Sequence, residues 1–150
     1  MRQVVNRGAR VGAALAAALG LALGSVLAAG AAPSATRGSF CGVSKGVAKN
    51  LVNIANQLKT LPSSTELKAE YGAISSAEPA LKSSAPGSLK PHVLQVLGFV
   101  DNIAADLKQA NWSITGLLPH EAALQAQENK VGPSIAALKA YYKNTCKFNV

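Results

Sequence analysis

From Phe40 onward the chain sets apolar positions at helical spacing, parted by short joints rich in serine, proline or glycine. Val43, Val47, Leu51, Ile54, Leu58 and Leu61 recur at steps of four, four, three, four and three, the period of a helix with one buried face. Lys45, Lys49, Asn53, Asn56 and Lys59 fall on its other faces. Pro62 ends the pattern, since a proline disfavours helical geometry in the residue before it. A second helix is predicted from Leu67, Tyr71, Ile74, Ala77 and Leu81. Ser63, Ser64 and Thr65 are its capping candidates, and Glu66 suits its positive terminus. Pro79 predicts a kink or split near Ser76–Glu78.

The joint Ser83–Gly87 reads as a turn, after which Ser88 is placed to cap a third helix with Pro91 in its first turn. Leu89, Val93, Val96, Val100, Ile103 and Leu107 form its stripe, and Lys108 near its end suits the helix dipole. Asn111–Gly116 connects onward and holds the sole tryptophan. Leu117-Leu118-Pro119 opens a fourth helical stretch with Leu124, Val131, Ile135, Leu138 and Tyr142 on one face. Its stripe has a polar gap at Gln127 and Glu128, and Gly132-Pro133 predicts a break into two pieces. No segment alternates with the two-residue period of a strand. The expectation is all-α: an antiparallel up-down four-helix bundle with proline breaks in helices two and four.

The first 31 residues change the arithmetic of charge and core. Arg2, Arg7 and Arg10 precede an Ala/Leu/Gly/Val run from Val11 to Ala28, and Ala29-Gly30-Ala31 offers a cleavage site before Ala32. We read 1–31 as a signal peptide rather than a retained anchor, because the run is weakly apolar for a membrane span. Residues 32–39 then form a flexible leader and 40–150 the helical domain. The signal segment carries three of the fifteen Lys/Arg and none of the seven Asp/Glu, leaving a mature net charge of +5. The expected location is secreted, extracellular or cell-wall associated, with no membrane span after cleavage.

Two cysteines in an exported chain pair as a disulfide. Cys41 opens the first helix and Cys146 closes the last. In an antiparallel bundle of four helices those two positions share one end, so the covalent and topological expectations agree.

Catalytic chemistry finds little here. His120-Glu121 begins like a zinc-protease motif, but Leu124 stands where the second histidine belongs. There is no nucleophile elbow and no glycine-rich phosphate loop, and Asp101 and Asp106 do not converge as a carboxylate pair would. The chain is read as no enzyme, with no metal site and no cofactor. Its lysines are spread over all helices rather than clustered, and Arg37 is the sole arginine after the signal segment, which argues against nucleic acid. The mild positive charge is compatible with an anionic envelope component or a protein partner. Asn111-Trp112-Ser113 matches a glycosylation pattern of low specificity.

Gly46, Gly72, Gly98 and Gly132 put one glycine in or at a break of each helix. Either they permit close helix packing or they leave a groove. In the second case Tyr71, His92, Phe99, Trp112, Tyr141 and Tyr142 are the candidate lining groups for a flat apolar ligand such as haem, with a tyrosine or histidine as axial ligand. Aromatics at helical spacing ordinarily belong to a core, and that reading is preferred.

Phe40-Cys41-Gly42 and the closing Tyr142-Lys143-Asn144-Thr145-Cys146-Lys147-Phe148 resemble a group of small exported helical proteins of high-GC Gram-positive bacteria. These share a cysteine opening the first helix, a Leu/Ala-rich middle and a Tyr-x-x-x-Cys close. The resemblance implies a bundle fold and an export route and transfers no functional residue. The functional expectation is a secreted, non-enzymatic binding or interaction protein at the cell envelope. The alternative is an extracellular carrier of an apolar ligand such as haem.

Overall fold

A computed structural model of the chain describes residues 35–57 and 63–150. The expected signal peptide, its cleavage point, and the helix stop at Leu61-Pro62 lie outside the described residues. Four long helices follow in order: α1 (Ala35–Gln57), α2 (Ser64–Ser84), α3 (Lys90–Gln109) and α4 (Glu121–Tyr141). A 3₁₀ helix (Ile114–His120) joins α3 to α4, and a π-helical turn (Tyr142–Cys146) follows α4. The described residues contain no strand. The architecture is an all-α bundle closed by the Cys41–Cys146 disulfide, with Cα atoms 5.4 Å apart.

Each helix buries one stripe. Phe40, Val47 and Ile54 do so on α1; Leu67, Tyr71, Ile74 and Leu81 on α2; Val93, Leu97, Val100, Ile103 and Leu107 on α3; Leu124, Val131 and Leu138 on α4. At ~1.5–3 kcal/mol for each fully buried large apolar side chain, these stripes supply the main driving force for assembly. α1 packs along α2 and α3 along α4, with a thinner α2–α3 seam. Polar bridges fix the antiparallel sense of both pairs. Asn53 Nδ2 near the end of α1 donates to Glu70 Oε1 near the start of α2 (3.3 Å). Asn102 Nδ2 donates to Gln127 Oε1 (3.1 Å), while His92 meets Ser134 (3.0 Å) farther along the same two helices.

Local signals explain most helix ends. At α2 the capping box is complete: Glu66 N–H donates to Ser63 Oγ (3.2 Å) and Ser63 N–H to Glu66 Oε2 (2.9 Å). α3 ends in a Schellman arrangement, with Trp112 N–H donating to Leu107 O and Asn111 N–H to Lys108 O. This places both Asn111 (φ 53°) and Trp112 (φ 61°) in the left-handed region. Trp112 is held there against Tyr71, with ring centroids 6.0 Å apart.

Four expectations are corrected. Neither Pro79 nor Pro133 breaks its helix: α2 and α4 each run through the proline. Both prolines, and the residues four positions earlier (Ser75 and Asn129), lie on exposed faces, where water serves the carbonyl that loses its partner. α1 begins at Ala35, so part of the stretch read as leader is helical. Ser88 is not the cap of α3; Leu89 holds that position without a side-chain cap, and the Pro86 carbonyl accepts from Leu89 and Lys90 N–H instead. Finally, an added Cβ at Gly46, Gly72, Gly98 or Gly132 would meet nothing within 4 Å, so close packing does not require these glycines, and none of them lines the cleft described below.

Candidate functional site: an apolar cleft beside the disulfide

Pairing α1 with α2 and α3 with α4 leaves a gap, because the backbone of α1 approaches the end of the chain only through the π-helical turn. Small side chains on the facing side of α1, Ser44 and Ala48, keep the gap open. The result is a partly open cleft of about 90 Å³. Val47 and Leu51 line it from α1, Leu81 from α2, and Val93, Val96, Leu97, Phe99 and Val100 from α3. Ile135, Leu138 and Lys139 of α4 complete the wall with Tyr142 and Val150.

Only three lining side chains are polar: Ser44, Lys139 and Tyr142. Ser44 is 2 % exposed, and its Oγ has no hydrogen-bond partner. Burial pushes the Tyr142 phenol above the ordinary tyrosine range, and the nearby Ser44 hydroxyl tempers that rise without reaching normal hydrogen-bond geometry. On its other side Tyr142 stacks on Phe148, with centroids 5.0 Å apart and planes 18° apart.

The surrounding charge is uneven. Folding gathers Lys45, Lys49, Lys82, Lys90, Lys139, Lys143 and Lys147 into the half of the bundle that holds the disulfide and the cleft. Glu78 and Asp101 are the acids there; Glu78 already pairs with Lys82 Nζ at 2.6 Å. The opposite half carries Lys68, Lys108 and Lys130 against Glu66, Glu70, Asp106, Glu121 and Glu128. Among the described side chains, lysines dispersed along the sequence thus gather in excess at the disulfide end.

The structure separates the six aromatic and histidine candidates. Phe99 and Tyr142 line the cleft. Tyr71 and Trp112 form their own pair, and neither lines the cleft. Burial holds the Tyr71 phenol well above its usual range. Tyr141 packs edge to face on Phe40. His92 lies outside the cleft lining, and its Nδ1 is engaged with Ser134 Oγ.

That last contact is a serine–histidine pair, and its chemistry is decided by the third member. Ser134 Oγ donates its one proton to Gln95 Oε1, so His92 Nδ1 must donate to Ser134 rather than accept from it. The histidine is therefore not poised as a base toward this serine, which is itself only 2 % exposed. Among the described residues, no three His, Cys, Asp or Glu side chains gather closely enough to hold a metal ion.

Sequence reasoning passed over Ser44, Ala48, Leu97, Lys139 and Val150. Ser44 had a legible signal: Phe40 and Ser44 continue the Val47, Leu51 and Ile54 stripe backward at helical spacing, interrupted by one hydroxyl. Val150 had none, because only the turn after α4 carries it back to the cleft.

Fold and site together define a disulfide-closed four-helix protein with a small apolar cleft at its basic pole. No protein-family model matches the chain, and neither a curated protein nor a solved structure matches it.

Proposed function

We propose that this chain is an exported, non-enzymatic binding protein of the cell envelope, and that it works by holding an apolar group in the cleft. The observation that carries this reading is the cleft itself: an almost wholly apolar, partly open hollow where a bundle of this size would ordinarily close its core. Export rests on the amino-terminal pattern of the sequence. It agrees with the disulfide and with the fact that no described helix is long and apolar enough to cross a membrane. The resemblance to small exported bundle proteins of high-GC Gram-positive bacteria points the same way.

The haem version of the reading draws little support from the geometry. A cavity of about 90 Å³ is below the ~150 Å³ that admits a benzene ring. Tyr71 and His92, the two axial candidates, lie outside the lining. A narrow aliphatic group fits better than a macrocycle.

The test is native mass spectrometry of protein recovered from the culture medium of an expressing host. The expected result is a chain beginning at Ala32 that carries a bound apolar species, which is lost in Ala48→Leu, a substitution that fills the cleft. Retention of the same species in a folded Ala48→Leu protein would refute the cleft as the binding element.

A further inference from the structure

The cleft has a chemical polarity that narrows what it takes. Its walls are aliphatic except for Ser44, Lys139 and Tyr142, of which Ser44 and Tyr142 lie beside each other where α1 meets the turn after α4. Ser44 Oγ is buried there without a partner, and a buried hydroxyl in that condition is destabilising unless something bonds to it. The flanking segments carry Lys45 and Lys49 on α1, and Lys143 and Lys147 beyond α4, all exposed. A ligand answering all three features has a hydrogen-bonding head, a negative charge and a thin apolar tail. A partly open space of about 90 Å³ holds the first few carbons of an alkyl chain, whose remainder leaves through the open side.

We propose that the cleft binds a monomeric, single-chain anionic amphiphile of the fatty-acid class. Its carboxylate accepts from Ser44 Oγ and the Tyr142 hydroxyl within the field of the basic pole, and its first methylenes lie along Val47, Leu51 and Val96. This rests on the cleft-binding reading above and adds the nature of the head group. No covalent step is involved.

The experiment is isothermal titration of the full mature protein with decanoate, decanol and decyltrimethylammonium, each below its micelle concentration. Propanoate, butanoate, hexanoate and octanoate extend the series to shorter chains. Decanoate is expected to bind at least about ten-fold more tightly than decanol, the alkylammonium not at all, and affinity to rise three- to four-fold per methylene until the cleft is full. Ser44→Ala should weaken decanoate about ten-fold while leaving decanol unchanged. The same substitution should leave the melting temperature unchanged or higher, so that the weakened binding is not a loss of folding. Ala48→Leu should abolish binding; Val96→Phe, at a half-buried position, serves if the first variant fails to fold.

Equal binding of all three decyl compounds would overturn the anionic head while leaving the cleft reading intact. Binding of none of them would overturn both. Attachment to phosphatidylglycerol vesicles that persists in Ala48→Leu, with no uptake of free decanoate, would overturn the proposal in favour of a surface contact made by the lysines alone.

Discussion

Phe40 and Tyr141 meet edge to face directly behind the disulfide, with ring centroids 5.9 Å apart and planes at 67°. The contact joins the first and last helices at a point where their backbones otherwise stay apart, and Phe40 is fully buried by it. The Tyr141 hydroxyl, however, is buried with no hydrogen-bond partner. The aromatic ring stabilises; the oxygen does not. Tyr141→Phe keeps the ring contact and removes the unpaired group, so stability is expected to hold or rise by about 1 kcal/mol in chemical denaturation. A clear loss of stability would mean that the hydroxyl has a partner after all.

The disulfide acts on the same junction by a different route. It spans a separation of 105 residues, and closing so long a loop restricts the unfolded chain by ~4–5 kcal/mol in the chain-entropy account. Cys41→Ser with Cys146→Ser should lower the denaturant midpoint accordingly. The helix content before the transition should be retained, because the apolar stripes do not depend on the bond. A double variant as stable as the parent would show that the unfolded chain is already compact.

The glycines separate into two kinds, and substitution should show it with opposite signs. At Gly116 an added Cβ would overlap Ala110 Cβ, where the 3₁₀ segment crosses the end of α3. Gly116→Ala is therefore expected to destabilise by about 1–3 kcal/mol. At Gly46, Gly72 and Gly98 the same addition meets open space on a helix, and each alanine should stabilise by up to about 1 kcal/mol. Melting temperatures of the four single variants suffice to check this.

Two carboxylates give opposite pH dependences. Hydrogen bonds from the Ser63 side chain, then its backbone, hold Glu66 below the ordinary glutamate range. Its folded value is depressed, so its stabilisation is complete above the unfolded value and fades as pH falls through the folded one. Asp101 is pushed up, first by burial and then by Glu78 beside it, with Lys82 opposing. Its folded state prefers the proton, so stability is lost as pH rises through its folded value. Ser63→Ala should thus cost stability at neutral pH and progressively less in acid. Asp101→Asn should gain stability at neutral pH, and that gain should vanish in acid. Thermal melts between about pH 3 and pH 7 resolve the two trends.

Much of the architecture is carried by local chemistry and is legible along the chain. The 3.6-residue stripes mark four helices because a helix has one face to bury, and that face recurs wherever apolar residues do. Ser63 and Glu66 mark the start of α2 because a capping box is made within four residues. The cysteine positions imply a shared pole because four antiparallel helices bring first and last ends together. The prolines misled for the complementary reason. A proline's local preference says nothing of whether the freed carbonyl faces water, and at Pro79 and Pro133 the helix face is exposed.

What only tertiary structure decided is how the faces meet. Lysines scattered through the sequence become a pole because antiparallel folding lays the start of α1 and α3 beside the ends of α2 and α4. Tyr71 and Tyr142 look equivalent as aromatics on a stripe, yet one is sealed against Trp112 and the other lines a cleft. The cleft exists because helices pair two by two and leave a seam that Ser44 and Ala48 are too small to fill. That space is a property of side-chain volumes brought together from distant positions, and no period along the chain encodes it.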